Sequence, residues 1–411
     1  MNKNLNIINL NLLLSLIFFN YLLYFIFETR TFFPYFAIVI LLVFFYLIYE
    51  NFKLTPEIFY IIFILSFISL GSPVADWDAR SIWLFNSKRI FFNENLNQFT
   101  NYFGSEFSHL DYPILIQTLS ASLASLIGNW NEIFPKYSSI IMILPALVIV
   151  SKILKNKVDK LIFIILIFFI YEKRLINGEM DALLGLYTIS TIILLVSFSK
   201  LKNLNLENLI KLFLFIMTLT MIKIEGLGIL ICIFLSYMIV YFKYNKKLKN
   251  KIILVFVLSV VPIILWKLFI YDKNIVSSSN LMISNGERLL ENLLNFKFIL
   301  LLIKSILLNK QMFLSLAIVF IILSKYIYID KGLNKIIINK KLFNRELSFI
   351  FFTILSYSLL LLLIFILSEG SPNNVFEMKY FMTISSSDRL FLPVHSLILL
   401  YSIYLNKNFG K

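Results

Sequence analysis

The stretch IILVFVLSVVPIILWKLFIY, from Ile252 to Tyr271, decides the fold class. A helix rising about 1.5 Å per residue needs roughly 20 apolar residues to cross about 30 Å of hydrocarbon. Water-soluble cores do not require such a length. Comparable windows run from Ile8 to Phe27, Phe32 to Tyr49 and Leu347 to Leu367. Across all 411 residues, 59% are hydrophobic and 15% charged, far to the membrane side of soluble composition. These windows predict an all-α polytopic transmembrane bundle of about 11–13 spans, with no separate soluble domain in 1–411.

The first span follows Met1-Asn2-Lys3, lacks a small-residue cleavage site and is succeeded at once by a second span, so a retained anchor is expected. The formal charge of +15 would suit nucleic acid if it lay on one soluble face. It lies instead in short loops between spans, which excludes that reading. Cys232 is the single cysteine, so no disulfide can form within the chain, and thiolate metal sites are not expected.

Five loops collect Lys and Arg: 152–160, 200–211, 243–251, 331–345 and the tail with Lys407 and Lys411. The positive-inside rule places them, and the N-terminus, in the cytoplasm of a cell bounded by this plasma (inner) membrane. The outer turns are then Asn177 to Asp181, Lys223 to Gly226, Asp272 to Lys297 and Glu369 to Arg389. The stretch 72–112 forms a first outer loop with juxtamembrane helices. Residues 113–128 fall about one residue short of a minimal span; a full crossing would reverse the sidedness of everything after it, so either this segment dips or a neighbouring segment is interfacial. Within the outer segment 272–311, Ser284 to Glu287 has capping-box spacing, and Leu289, Leu290, Leu293, Leu294 and Phe296 share one helical face.

The outer turns hold Asp, Glu and His where the inner loops hold almost only Lys. Glu172, Lys173, Arg174, Lys223 and Glu225 also intrude on hydrophobic runs, where each costs about 2.5–3.5 kcal/mol near a helix centre. Such residues usually line a polar cavity.

Five groups carry chemical potential. Asp76-Trp77-Asp78-Ala79-Arg80-Ser81-Ile82-Trp83 places two carboxylates two residues apart, suited to sharing a divalent cation or to supplying one base. Loop carboxylates with interfacial tryptophans give the same pattern. In His109-Leu110-Asp111-Tyr112-Pro113, Asp111 and Pro113 suit a helix start, and His109 could ligate a metal or donate to phosphate. Asn177-Gly178-Glu179-Met180-Asp181 opens a helix with two carboxylates. In Lys223-Ile224-Glu225-Gly226 a buried ion pair and a phosphate contact are both open. Ser385-Ser386-Ser387-Asp388-Arg389 offers Arg389 for bidentate phosphate binding or as an interfacial anchor.

Taken in order, these groups resemble the GT-C superfamily of multi-spanning glycosyltransferases that use lipid-phosphate sugars, in particular its bacterial branch similar to dolichyl-phosphate-mannose protein mannosyltransferases. The resemblance rests on a Trp-Asp-Ala segment with a second Trp shortly after (Trp77 to Trp83), a His-x-Asp-Tyr-Pro segment (His109 to Pro113), a Gly-x-x-Asp turn (Gly178 to Asp181), a Lys-x-Glu-Gly turn (Lys223 to Gly226) and an Asp-Arg-Leu (Asp388 to Leu390). Glu179 departs from the small or aromatic residue usual before the turn Asp.

The resemblance implies a sugar moved from a polyprenyl-phosphate donor to a hydroxyl on a lipid, glycan or protein acceptor, at the outer leaflet and with inversion. The donor phosphate is already a good leaving group, so only a base is needed. Asp78 is the first choice for it and Asp76 the second. Arg389 and Lys223 would hold the donor phosphate. His109, Asp111, Tyr112, Asp181, Glu179, Glu225 and Arg80 would line the pocket. A metal is left open, with Asp76, Asp78 and His109 as ligands and Mg or Mn as the ion. A transporter or flippase of a glycolipid or solute, and a surface-polysaccharide polymerase or ligase, are the competing readings.

Overall fold

A computed structural model describes residues 5–74, 76–92, 109–201, 204–241, 246–275, 309–324, 327–330, 335–338, 344–367 and 389–409, with isolated residues between 294 and 306. The chain is a helical protein of multi-pass membrane type. Among the described residues six helices are long and apolar enough to cross a bilayer, with windows at Leu10–Phe27, Phe33–Phe52, Ile133–Ser151, Asp181–Ser199, Leu248–Asp272 and Arg345–Ile364. Pro56–Gly71, Glu225–Tyr241 and Lys310–Leu323 are shorter apolar helices.

Two compact units make up the chain. The first comprises residues 1–152, 173–230 and 245–278. It begins with α1 (Leu5–Phe27), α2 (Phe33–Leu54) and α3 (Pro56–Gly71). α2 and α3 carry Pro34 and Pro56 in the first turn, where a missing N–H costs nothing. A π-helical turn, Ala79–Trp83, leads into α4 (Leu84–Phe92), followed by α5 (Leu115–Ser125) and α6 (Ile133–Ser151). The unit is completed by α8 (Asp181–Ser199), α9 (Leu206–Ile222) and α11 (Lys246–Asp272).

α6 and α8 form the protein-facing centre, with about nine-tenths of their spanning windows buried. α6 packs on α3, α5 and α8, α8 on α9, and α9 on α11. Several of their polar side chains pair internally: Ser120 and Ser138 hydroxyls meet at 2.7 Å, Asn20 donates to Ser122 at 2.9 Å, and Tyr187 donates to the Met142 carbonyl at 3.1 Å. Hydrocarbon offers such groups no partner, so they pair between helices. α2, α3 and α11 instead expose Phe45, Phe67 and Leu268 on their outer faces, as lipid contact requires.

The second unit comprises residues 153–172, 231–244 and 279–411. It contains α7 (Lys157–Ile165), a π-helical turn (Leu166–Ile170), α12 (Lys310–Leu323), α13 (Arg345–Leu367) and α14 (Leu392–Phe409). α10 (Glu225–Tyr241) begins in the first unit and ends in the second. α14 packs on α12, α13 and α7. Tyr171 and Ser396 hydroxyls meet at 2.6 Å, and Asn406 donates to Asp159 at 2.9 Å. Asn156, Asn205 and Asn309 cap α7, α9 and α12 by accepting backbone N–H groups.

Three sequence expectations are sharpened or changed by the structure, each for a physical reason. α5 has 11 residues, about 16 Å, so the segment at 113–128 does not reach across hydrocarbon. Leu115 to Ala124 are all buried in protein, where Gln117, Thr118, Ser120 and Ser122 are tolerated. Second, α7 ends after nine residues and is continued only by the π turn and a 3-10 turn, Glu172–Leu175. Such breaks leave fewer long spans among the described residues than 11–13. Third, Ile327–Asp330 and Lys335–Ile338 pair as antiparallel strands inside an expected basic loop, a small exception to an all-α chain. The capping box at Ser284 and the apolar face after it, Leu294 excepted, lie outside the described residues, as do Ser385 to Asp388.

Candidate functional site

Four of the five sequence groups lie in the first unit, and local structure turns them toward one another. The π turn starts immediately after Asp78. Such turns insert one residue into a helical path and often mark functional sites. Opposite it, Asn177 to Asp181 makes a tight turn with Gly178 at φ +93°, a conformation that favours glycine. A Cβ on Gly178 would lie 3.4 Å from the Ala79 Cβ, so this turn sits directly on the π turn. Two hydrogen bonds pin the surrounding backbone. Lys136 Nζ donates to the Ser72 carbonyl at 2.7 Å, and Ser69 Oγ donates to the Ile176 carbonyl at 3.2 Å.

Asp76 is held from this side. Its Oδ1 accepts from Lys173 Nζ at 2.6 Å, and its Oδ2 accepts from the Asn177 amide. Burial pushes its carboxyl up, but these donors and the nearby Arg174 outweigh that and hold it below the usual carboxylate value. Asp78 is half-buried, and its charge is felt at His109. Arg174 lies 3.5 Å from the buried Glu179, whose backbone N–H donates to Asn177 Oδ1 at 3.0 Å.

His109 adopts φ +47°, which turns its ring back onto Tyr112; the two stack at 5.0 Å. Trp83 stacks near-parallel with Tyr112 at 5.4 Å, so the phenol is held by aromatic rings from the π turn and from its own loop. Tyr112 Oη donates to Glu225 Oε1 at 3.4 Å. Burial depresses the His109 imidazole below its ordinary value, and burial with the Glu225 carboxylate drives the Tyr112 phenol well up.

Lys223 occupies the break between α9 and α10. Its ammonium is 2.8 Å from Asp181 Oδ1, 3.2 Å from Glu225 Oε1 and 5.8 Å from the centre of the Tyr112 ring. Burial alone would lower its pKa; the two carboxylates reverse that and hold it well above the ordinary lysine value. Lys223, expected at a donor phosphate, is thus held between two carboxylates. Gly226 allows the break: a Cβ there would come within 2.0 Å of the Leu219 carbonyl oxygen.

Asp111 is fully buried, its backbone carbonyl accepting from Trp266 Nε1 at 2.9 Å and its carboxylate 3.9 Å from Lys267. Trp266 and Lys267 belong to the stretch that decides the fold class, and sequence reasoning did not count them as site residues. Lys267 was visible there as a charge within an apolar span. Lys173 likewise stood out only as a charge against a hydrophobic run.

Two polar atoms in this cluster, His109 Nδ1 and Glu225 Oε2, are buried without a hydrogen-bond partner among the described residues. Buried polar atoms usually find a partner, so a polar ligand is one way to satisfy them. As for a metal, no three His, Cys, Asp or Glu side chains among the described residues converge to hold one. Both Asp76 oxygens are already engaged, so the set Asp76, Asp78 and His109 fits an ion poorly. Arg389 belongs to the second unit, one turn ahead of α14, and is partly buried. Arg80 is exposed and faces a separate groove with Trp77 and Lys88.

No protein-family model matches the chain, and no curated protein or solved structure is significantly similar to it.

Proposed function

We propose that the chain is a membrane glycosyltransferase that moves a sugar from a polyprenyl-phosphate donor to a hydroxyl acceptor on the outer side of the membrane. The observation that carries this reading is the meeting of four motif groups, separated by up to about 150 residues of sequence, in one cluster of carboxylates, aromatic rings and the lysines Lys173 and Lys223. The GT-C resemblance rests on the order of these same groups.

Direct displacement at the anomeric carbon requires a base beside the attacking hydroxyl and a leaving phosphate opposite. Asp78 serves as that base in this reading. Its neighbour Asp76 has both oxygens committed to Lys173 and Asn177 and serves to fix the loop. A base removes the acceptor proton as oxygen bonds to the sugar and the sugar–phosphate bond breaks, which inverts configuration. His109, Tyr112, Glu179 and Glu225 line the sugar pocket, with His109 Nδ1 and Glu225 Oε2 available to its hydroxyls. Stacked rings such as Tyr112 and Trp83 give that pocket rigid walls. Lys223 holds Asp181 and Glu225 in place.

Purified protein given a polyprenyl-phosphate sugar and a hydroxyl acceptor tests the reading. Consumption of the lipid-phosphate sugar, with release of polyprenyl phosphate, supports it. Solute or glycolipid crossing in proteoliposomes, with the donor untouched, favours a transporter.

A further inference from the structure

The helix that carries Asp78 has a second working face. Trp77, Arg80, Ser81, Leu84, Phe85 and Lys88 recur along one side of the π turn and α4 and, with Trp130 and Glu132 just ahead of α6, enclose an open groove of about 500 Å³. Asp76, Ala79 and Trp83 occupy the other side, against the cluster described above. The groove therefore adjoins the candidate site, with Leu84 packed between the two.

Its donors lack acceptors. Arg80 and Lys88 are exposed, and among the described residues neither meets a carboxylate within 4 Å. Trp130 Nε1 is buried and has no hydrogen-bond partner among the described residues. Exposed cations alone would merely be hydrated. A buried indole N–H without an acceptor is different, because its desolvation is uncompensated until something supplies an oxygen. The rest of the wall is apolar, with Leu84 and the rings of Trp77, Phe85 and Trp130, and Trp77 is 70% exposed. Glu132 on the rim leaves the groove with one net positive charge.

We propose that this groove binds the headgroup of an anionic glycerophospholipid. Its phosphate oxygens accept from Arg80 and Lys88, an ester oxygen accepts from Trp130 Nε1, and one acyl chain lies along Trp77 and Phe85. Arginine and lysine beside aromatic rings at an interface suit this ligand: the cations meet the phosphate while the rings meet the glycerol and upper chain. The site does not depend on the transfer reaction.

Brominated phospholipids quench nearby tryptophans, so the test is quenching of the full chain in nanodiscs by brominated phosphatidylglycerol against brominated phosphatidylcholine. Phosphatidylglycerol is expected to quench at lower mole fraction. Its preference should fall about fivefold for each cation removed in Arg80→Gln and Lys88→Gln. Trp77→Phe/Trp130→Phe should lose the headgroup-dependent part while Trp83 and Trp266 emission persists. Equal quenching by both lipids overturns the proposal, and so does an undiminished preference in R80Q/K88Q. Competition by millimolar inorganic phosphate as strong as that by phosphatidylglycerol overturns it too, since the groove would then select free phosphate.

Discussion

Lys223 donates to Asp181 across 2.8 Å with both side chains under a tenth exposed, joining the start of α8 to the break between α9 and α10. Removing one partner of a buried pair strands the other charge, which costs about 3–5 kcal/mol. Lys223→Met strands both Asp181 and Glu225 and is expected to lose stability of that order in detergent-solubilised thermal unfolding, whereas Asp181→Asn, which leaves Lys223 paired with Glu225, should lose less. The double variant should lose clearly less than the sum, since Asp181 is then no longer a charge left alone and only Glu225 lacks its lysine.

Gly226 and Gly71 separate close packing from mere helix propensity. Gly226→Ala drives a Cβ into the Leu219 carbonyl, so α9 and α10 must part, and a loss of about 3 kcal/mol or more is expected. Gly71 ends α3 with nothing within 4 Å of an added Cβ. Gly71→Ala should change the unfolding midpoint little, or raise it by the equivalent of up to about 1 kcal/mol.

His109 gives a pH signature. Burial lowers its pKa below the ordinary value near 6.5, so the folded protein binds this proton more weakly than the unfolded chain does. Above about pH 6.5 both states are neutral and the group has no effect. Stability is lost as pH falls below that value, until the folded imidazole also protonates. His109→Gln should flatten this part of the stability profile, as thermal unfolding from pH 8 to 5 would record.

Asp76 works in the opposite sense. Its donors depress the folded pKa below the ordinary carboxylate value of about 3.8, so its contribution is complete above that pH and is lost as pH falls through the folded value. Wild type should therefore exceed Asp76→Asn in stability at neutral pH. Acid unfolding curves should show the gap closing below about pH 4, while a gap that persists there would place the effect in packing rather than charge.

Hydrophobic length made much of the fold legible. Ile8 to Phe27, Phe32 to Tyr49, Ile252 to Tyr271 and Leu347 to Leu367 each fall within or almost within one helix, Leu5–Phe27, Phe33–Leu54, Lys246–Asp272 and Arg345–Leu367. Length flagged α5 as short but left its course open, because a short helix wholly buried in protein can be as apolar as one facing lipid. Several of the site's residues stood out as charges in costly places, yet which residues they pair with did not. Lys173 reaches Asp76 from 97 positions away, and Trp266 reaches Asp111 from 155. Those pairings are set by how α6, α8 and α11 pack, which no local pattern encodes.

The central claim, that Asp78 is the base of a sugar transfer, is tested most directly by single-turnover transfer from a polyprenyl-phosphate sugar, comparing wild type with Asp78→Asn. Loss of a positioned base typically costs about 10²–10⁴-fold in rate. The account predicts a fall within that range for Asp78→Asn, with donor binding retained. Transfer by Asp78→Asn at the wild-type rate would contradict it.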